Sequence, residues 1–117
     1  MRRVVVTGIG ALTPIGNNFG QYVEGLKNGI SGAGPITRFD ASLFKVRFAC
    51  ELKQFDIEQF MPRKDARRLD PFAQYAMVVA DEAMQMSGLD PEKIDLDRAG
   101  VIWGTGIGGF ETIEHDI

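Results

Sequence analysis

Two glycine-rich turns are the first places in this sequence where residue types and spacing could support chemistry. Gly8 and Gly10 follow an apolar run at residues 4–7, and a second turn at residues 104–109 follows an apolar run at residues 99–103. A glycine lets a backbone approach a ligand or another backbone without a Cβ in the way. Because ligands of open α/β sheets bind at the carboxyl ends of strands, both turns are candidate site borders.

Dinucleotide binding is one chemistry that the second turn could serve. Residues 104–109 match the G-x-G-x-x-G pattern, but that pattern belongs on a first strand, with an acidic residue ending the next strand roughly 20 residues later. The first turn has Thr13 where the third glycine would stand. Nucleotide binding is therefore the weaker interpretation of these glycines. The alternative without a ligand is that they permit close packing of a strand against a helix. A P-loop is excluded, because no glycine precedes Lys-Ser or Lys-Thr.

Cys50 and His115 are the residues that suggest a nucleophile or a metal ligand. Cys50 lies in an alternating segment and precedes Glu51, whose charge disfavours a thiolate, so we expect a buried structural thiol. His115 lies in an acidic stretch and is interpreted as a surface histidine. One histidine with scattered carboxylates is too few ligands for a metal site. The sequence therefore predicts no catalytic residue and no metal site.

Lys64, Arg67 and Arg68 form a basic cluster. They are three and four positions apart, so a helix would place all three side chains on one face. Taken alone, such a cluster is usually a solvated surface turn.

Composition and charge narrow the class of protein. The chain has 44% hydrophobic and 25% charged residues, which is typical of a soluble globular protein. Its net charge of -3 argues against nucleic acid as a partner of the whole chain. No apolar run approaches the ~20 residues of a membrane span. One cysteine and the lack of a signal peptide predict a cytoplasmic protein.

The order of predicted elements is typical of an α/β fold. The predicted strands are residues 4–7, 45–52 and 99–103, and the predicted helices run from the cap at Asn18 to Gly29, from Pro71 with Asp70 as N-cap to Gly88, and from Phe110 onward. A short helical turn is predicted at residues 56–60. The apolar strands should be buried on both faces, as in a parallel sheet. Such strands need neighbours that this chain does not supply, so we expect a portion of a larger domain.

Four segments, taken in order and spacing, carry a family resemblance that covers nearly the whole chain. They are Arg2-Arg3-Val4-Val5-Val6-Thr7-Gly8-Ile9-Gly10 with Thr13-Pro14-Ile15-Gly16; Ile30-Ser31-Gly32 with Arg38-Phe39-Asp40; Arg63-Lys64 and Arg68-Leu69-Asp70 with Gln74-Tyr75-Ala76; and Gly104-Thr105-Gly106-Ile107-Gly108-Gly109. The chain resembles the opening of a β-ketoacyl-acyl-carrier-protein synthase of the elongating, synthase II type. The resemblance implies a thiolase-like fold, a mostly parallel mixed sheet covered by helices, and a homodimer.

The resemblance also implies a reaction. Enzymes of this family elongate fatty acids by decarboxylative Claisen condensation of an acyl thioester, held on a cysteine, with malonyl carrier protein. In the family the cysteine and both histidines lie beyond the position of Ile117. We therefore expect residues 1–117 to be an incomplete N-terminal portion of the domain, inactive by itself. No resident cofactor is expected, because the carrier protein brings the phosphopantetheine arm.

Two sets of site residues follow from the resemblance. The positions of Lys64, Arg67 and Arg68 match those that dock the acidic acyl carrier protein, and Ile107 matches a residue bordering the acyl-chain pocket. A nucleotide-binding domain using residues 104–109 and a non-catalytic, chain-length-factor-like partner subunit stay as alternatives. Because sheet edges and apolar faces would be exposed, the isolated chain is expected to self-associate.

Overall fold

The computed structural model describes residues 3–117. The elements in chain order are helix α1 (Phe19–Lys27), strand β1 (Gly34–Pro35), strand β2 (Phe48–Ala49), helix α2 (Arg63–Ala66), helix α3 (Pro71–Ser87) and helix α4 (Phe110–Asp116), with short 3-10 turns at Ile57–Gln59 and Leu96–Arg98. They fall into two compact units. We call Ala11–Phe55 the hairpin unit, and residues 3–10 with Asp56–Ile117 the helical unit.

The hairpin unit holds α1 and the two strands. The Asn18 side chain accepts a hydrogen bond from the Gln21 N–H at 2.8 Å, which satisfies one free donor at the start of α1. Gly29 takes a left-handed φ of 61° just after the helix, so the predicted start and stop are confirmed. Strands β1 and β2 are antiparallel.

The predicted strand at residues 45–52 is mostly wrong. Only its centre, β2, is paired, and Val46 is 58% exposed. Cys50 is exposed as well, so the expected buried thiol is not observed. The reason is that β2 pairs with only the two residues of β1, so Cys50 lies just beyond the paired segment.

The long helix α3 agrees closely with its predicted limits. Pro71 occupies the first turn and Asp70 is the N-cap residue, where the missing proline N–H removes no helix bond. Gly88 ends the helix in the left-handed conformation with φ 65°. These ends follow from local backbone chemistry. The helical turn at Ile57–Gln59 and the start of α4 at Phe110 also match.

The predicted parallel sheet is not formed by the described residues. Residues 4–7 and 99–103 have no strand pairing, and Val4 and Ile102 are 95% and 99% exposed. Extended segments become strands only when neighbours accept and donate their backbone hydrogen bonds. Neither segment has such a neighbour among residues 3–117. Two-sided burial of these runs is therefore not observed, and the sheet of the described residues is the antiparallel pair β1–β2.

The packed interior of the helical unit centres on α2 and α3. The most buried apolar side chains among the described residues are Ala66 in α2, 4% exposed, and Val78 in α3, 5% exposed. Helix α3 is therefore the base on which the neighbouring segments lie. No helix in residues 3–117 has the length and apolar character that crossing a membrane requires.

Candidate functional site

The basic cluster of Lys64, Arg67 and Arg68 lies on and just after α2. Lys64 is within the helix and Arg67 is its C-cap residue, while the Arg68 N–H donates to the Asp65 carbonyl at 3.1 Å. The cluster therefore lies on a short helix with one further turn and not on a single helix that spans all three residues. All three side chains are exposed, and within residues 3–117 none of them forms an ion pair. Exposed Asp65 lies within the same stretch, so residues 64–68 present three positive charges and one negative charge to solvent.

Gln74 holds the backbone of the basic cluster. Its side-chain Nε2 donates to the Ala66 carbonyl and to the Leu69 carbonyl, each at 2.9 Å. These two carbonyls bracket Arg67 and Arg68. The sequence analysis named Gln74 only as part of the family resemblance and gave it no role. The available signal was its position one helical turn before buried Val78, because a polar side chain on a buried face needs a hydrogen-bond partner.

Asp70 connects the start of α3 to the start of α4. Its Oδ2 accepts from the Thr112 N–H at 3.1 Å and from the Thr112 Oγ1 hydroxyl at 2.7 Å, so it caps α4 rather than its own helix. The Thr112 hydrogen bonds lower the pKa of the Asp70 carboxyl. A Cβ on Gly109 would lie 3.1 Å from Asp70 Oδ2, so the glycine permits this close approach.

The position of the Asp70 carboxylate argues against nucleotide binding at the second glycine turn. In a dinucleotide site, the helix after the G-x-G-x-x-G turn directs its N–H groups at a phosphate. Here a carboxylate already accepts from the first turn of α4, and its negative charge would repel a phosphate. The described geometry therefore does not favour nucleotide binding at residues 104–109.

The second glycine turn presents Ile107 to solvent. The Thr105 hydroxyl accepts from the Gly108 N–H at 3.2 Å, and Gly108 has a left-handed φ of 78°, which explains a glycine there. Ile107 is 78% exposed. Its acyl-pocket role stays a prediction, because no described residue forms an opposing wall.

The first glycine turn serves close packing. A Cβ on Gly8 would lie 2.0 Å from the Ala83 carbonyl oxygen, and one on Gly10 would lie 1.9 Å from the Val79 carbonyl oxygen. Gly8 and Gly10 are two residues of extended chain apart, about 6.6 Å. Val79 and Ala83 are one helical turn apart, about 5.4 Å. Because these distances are similar, both glycines can lie along one side of α3. The contacts therefore support the interpretation that these glycines permit close packing and do not bind a ligand.

Of the remaining candidates, His115 borders the same pocket as Arg67, Arg68 and Gln74. His115 is exposed on α4, as a surface histidine would be, and Cys50 belongs to the hairpin unit. Within the described part of the chain, no group of three or more histidine, cysteine or acidic side chains could hold a metal ion.

Comparison with known sequences identifies relatives over nearly the whole chain. The sequence profile described as "Beta-ketoacyl synthase, N-terminal domain" matches residues 1–116. A 3-oxoacyl-[acyl-carrier-protein] synthase 2 from Synechocystis sp. is 48% identical over 113 residues, which are 97% of this chain and 27% of that protein. The synthase 2 of Staphylococcus aureus strain COL gives the same identity and coverage. The chain thus spans about a quarter of the length of these curated relatives.

Two solved structures share the fold. A ketosynthase determined with the acyl-carrier protein of a type II polyketide synthase matches 97% of this chain and 29% of its own, with TM-score 0.75 and 29% identity. The ishigamide ketosynthase/chain length factor matches 80% of this chain and 23% of its own, with TM-score 0.69 and 38% identity. Together with the profile match over residues 1–116, these similarities show that the chain belongs to the β-ketoacyl synthase family and has the ketosynthase fold.

Proposed function

We propose that this chain is the N-terminal portion of a 3-oxoacyl-acyl-carrier-protein synthase that elongates fatty acids by decarboxylative Claisen condensation. The observation that carries the proposal is the 48% identity to a synthase 2 over 97% of the chain. In this reaction a cysteine takes the acyl chain as a thioester. Malonyl carrier protein then loses carbon dioxide, and the resulting carbanion attacks that thioester. The chain's own cysteine does not serve as this nucleophile, so the chain alone is inactive.

The basic cluster is the proposed docking surface for the acyl carrier protein. The positive charges of Lys64, Arg67 and Arg68 lie within five consecutive positions, are exposed, and lack ion pairs within residues 3–117. The chain as a whole is net acidic, so a local positive surface is required to attract an acidic partner. A related ketosynthase has been solved with an acyl-carrier protein, which supports a carrier protein as the partner.

Ile107 is the proposed wall of the acyl-chain pocket. It is a branched apolar side chain, 78% exposed, between glycines that leave open space around Gly106. Covering such a side chain with an alkyl chain stabilises the complex by about 1.5–3 kcal/mol. Ile107 therefore contributes to binding of the acyl group and takes no part in bond making.

Further properties of the enzyme follow from the same proposal. It acts as a homodimer in the cytoplasm, and it holds no resident cofactor, because the carrier protein brings the phosphopantetheine arm. A non-catalytic partner subunit is the second candidate, supported by the similarity to the ishigamide ketosynthase/chain length factor at 38% identity. The 48% identity to synthase 2 favours the condensing enzyme.

A hybrid enzyme tests the proposal. In the hybrid synthase, this chain replaces the matching 113 residues of the Synechocystis synthase 2. We expect the hybrid to condense acyl and malonyl carrier proteins, and an inactive hybrid contradicts the proposed function.

Charge reversal in the hybrid tests the docking surface. Changing Lys64, Arg67 and Arg68 to Glu should raise the KM for malonyl carrier protein at low salt, with little effect on a carrier-free malonyl thioester. The matched control reverses three exposed cations elsewhere that also lack ion pairs among the described residues: Lys45, Lys53 and Arg98. An equal KM in the two triple variants would exclude the cluster as the docking surface.

A further inference from the structure

We infer that Gln74 is a positioning residue for carrier-protein docking, because its side chain fixes the backbone on both sides of Arg67 and Arg68. The inference rests on the proposed function, since it concerns how the docking surface is held. The carrying observation is the pair of 2.9 Å hydrogen bonds from Gln74 Nε2 to the carbonyls of Ala66 and Leu69. Those carbonyls lie directly before Arg67 and directly after Arg68.

The chemistry of the side chain suits this role. A primary amide has two N–H donors, and here each is directed at a different carbonyl. The Ala66 carbonyl also accepts from the Leu69 N–H at 3.1 Å, so Gln74 is its second donor, whereas the carbonyl of half-buried Leu69 accepts from Gln74 alone among the hydrogen bonds of the described residues. Without Gln74, the Leu69 carbonyl would lose this donor, and a partly buried carbonyl without a partner costs free energy.

Gln74 connects a long helix to a short one. Helix α2 has four residues, too few to be stable without support from outside. Gln74 belongs to the 17-residue α3, and its own N–H donates to the Asp70 carbonyl at 3.1 Å. The long helix therefore helps to hold the short one and the turn after it through the Gln74 side chain, in addition to the packing around buried Ala66.

The consequence for docking is preorganisation. The positions of the Arg67 and Arg68 Cα atoms determine which points their guanidinium groups can reach. A partner that meets a fixed backbone loses less conformational entropy on binding than one that must order it. Lys64 lies outside the bracketed segment, so its contribution to docking is the least dependent on Gln74.

The test replaces Gln74 in the hybrid synthase. Gln74→Met keeps the length of the side chain and removes both donors, and we expect about a tenfold increase in the KM for malonyl carrier protein with kcat nearly unchanged. Activity with a carrier-free malonyl thioester should not change. Gln74→Asn, whose shorter side chain reaches one carbonyl at most, should give an intermediate KM and serves if the Met variant does not fold.

A control variant and three contradicting results complete the test. Gln85→Met removes a glutamine on the same helix whose Nε2 bonds exposed Asp81 at 2.7 Å, and it should leave every parameter unchanged. An unchanged KM in both Gln74 variants, with the triple charge reversal still effective, overturns this inference and leaves the proposed function intact. Equal losses with carrier-bound and carrier-free substrates also overturn it, because they indicate a general structural role. An ineffective charge reversal contradicts the proposed docking surface instead.

Discussion

Replacing Gly10 by alanine should destabilise the helical unit, because the new methyl group has no room against α3. The added Cβ would lie 1.9 Å from the Val79 carbonyl oxygen and 2.7 Å from the Val79 carbonyl carbon. Observed Cβ atoms essentially never approach other atoms closer than 3.0 Å. The segment and the helix must therefore separate by about 1 Å, and both partners are backbone that cannot turn aside as a side chain would.

The expected cost follows from this separation. Overpacking of a well-packed contact costs about 1–3 kcal/mol, and here the upper part of that range applies because the clash is with a carbonyl group in a helix. Unfolding free energies of small domains are about 5–15 kcal/mol. Gly10→Ala should thus lower the free energy of unfolding by about 2–3 kcal/mol, which moves the midpoint of urea denaturation by about 1 M or more.

The assay is urea denaturation of the chain followed by far-ultraviolet circular dichroism. Gly104→Ala is the matched control, since a Cβ at Gly104 meets nothing within 4 Å. It should be neutral or stabilise by up to about 1 kcal/mol, because alanine restricts the unfolded chain. Equal midpoints for Gly10→Ala and Gly104→Ala would refute the conclusion that the first glycine turn packs against α3.

Three further predictions concern the second turn, α4 and the exposed apolar runs. Ile107→Trp in the hybrid synthase should reduce activity on long acyl chains about tenfold more than activity on short ones, because the larger ring fills space that an alkyl chain would take. An unchanged ratio of long-chain to short-chain activity contradicts the pocket role. The pKa of the Asp70 carboxyl is lowered by the Thr112 hydroxyl, so its contribution to stability is present above the ordinary carboxyl pKa and is lost as pH falls through the lowered one. The Thr112 amide resonance should follow that loss below about pH 4, and Thr112→Val should move the transition to higher pH; an unmoved transition refutes the link. The runs at residues 4–6 and 101–103 expose apolar side chains, with Val4 95% and Val101 88% exposed, so light scattering on the chain should detect self-association; a monomer at all concentrations contradicts it.

Helix ends could be predicted from the sequence because they depend on neighbouring residues. Asn18 accepts from a donor three residues away, and Gly88 adopts a left-handed φ that most other residues disfavour. The strands could not be predicted in the same way. A β-branched run such as residues 4–7 has the propensity for a strand, but strand formation requires a partner that the run itself does not specify.

The candidate site likewise has residues that the sequence predicts and contacts that it does not. The residue types of the basic cluster and the family resemblance led directly to Lys64, Arg67, Arg68 and Ile107, whose functions stay predictions. Contacts over longer distances could not be predicted. Gln74 reaches a carbonyl eight residues away, and Asp70 reaches Thr112 across 42 residues; nothing in residue order marks either pair.

The sequence by itself determined the family, the helix limits and the positions of the candidate docking charges, because each depends on residue identity and short spacing. Only the tertiary structure decided how those charges are held and what the two glycine turns do. Gly8 and Gly10 pack against α3, whereas Gly104 and Gly106 have open space around them. Similar local sequences thus serve different purposes, because the function of a glycine depends on what lies where its Cβ would be.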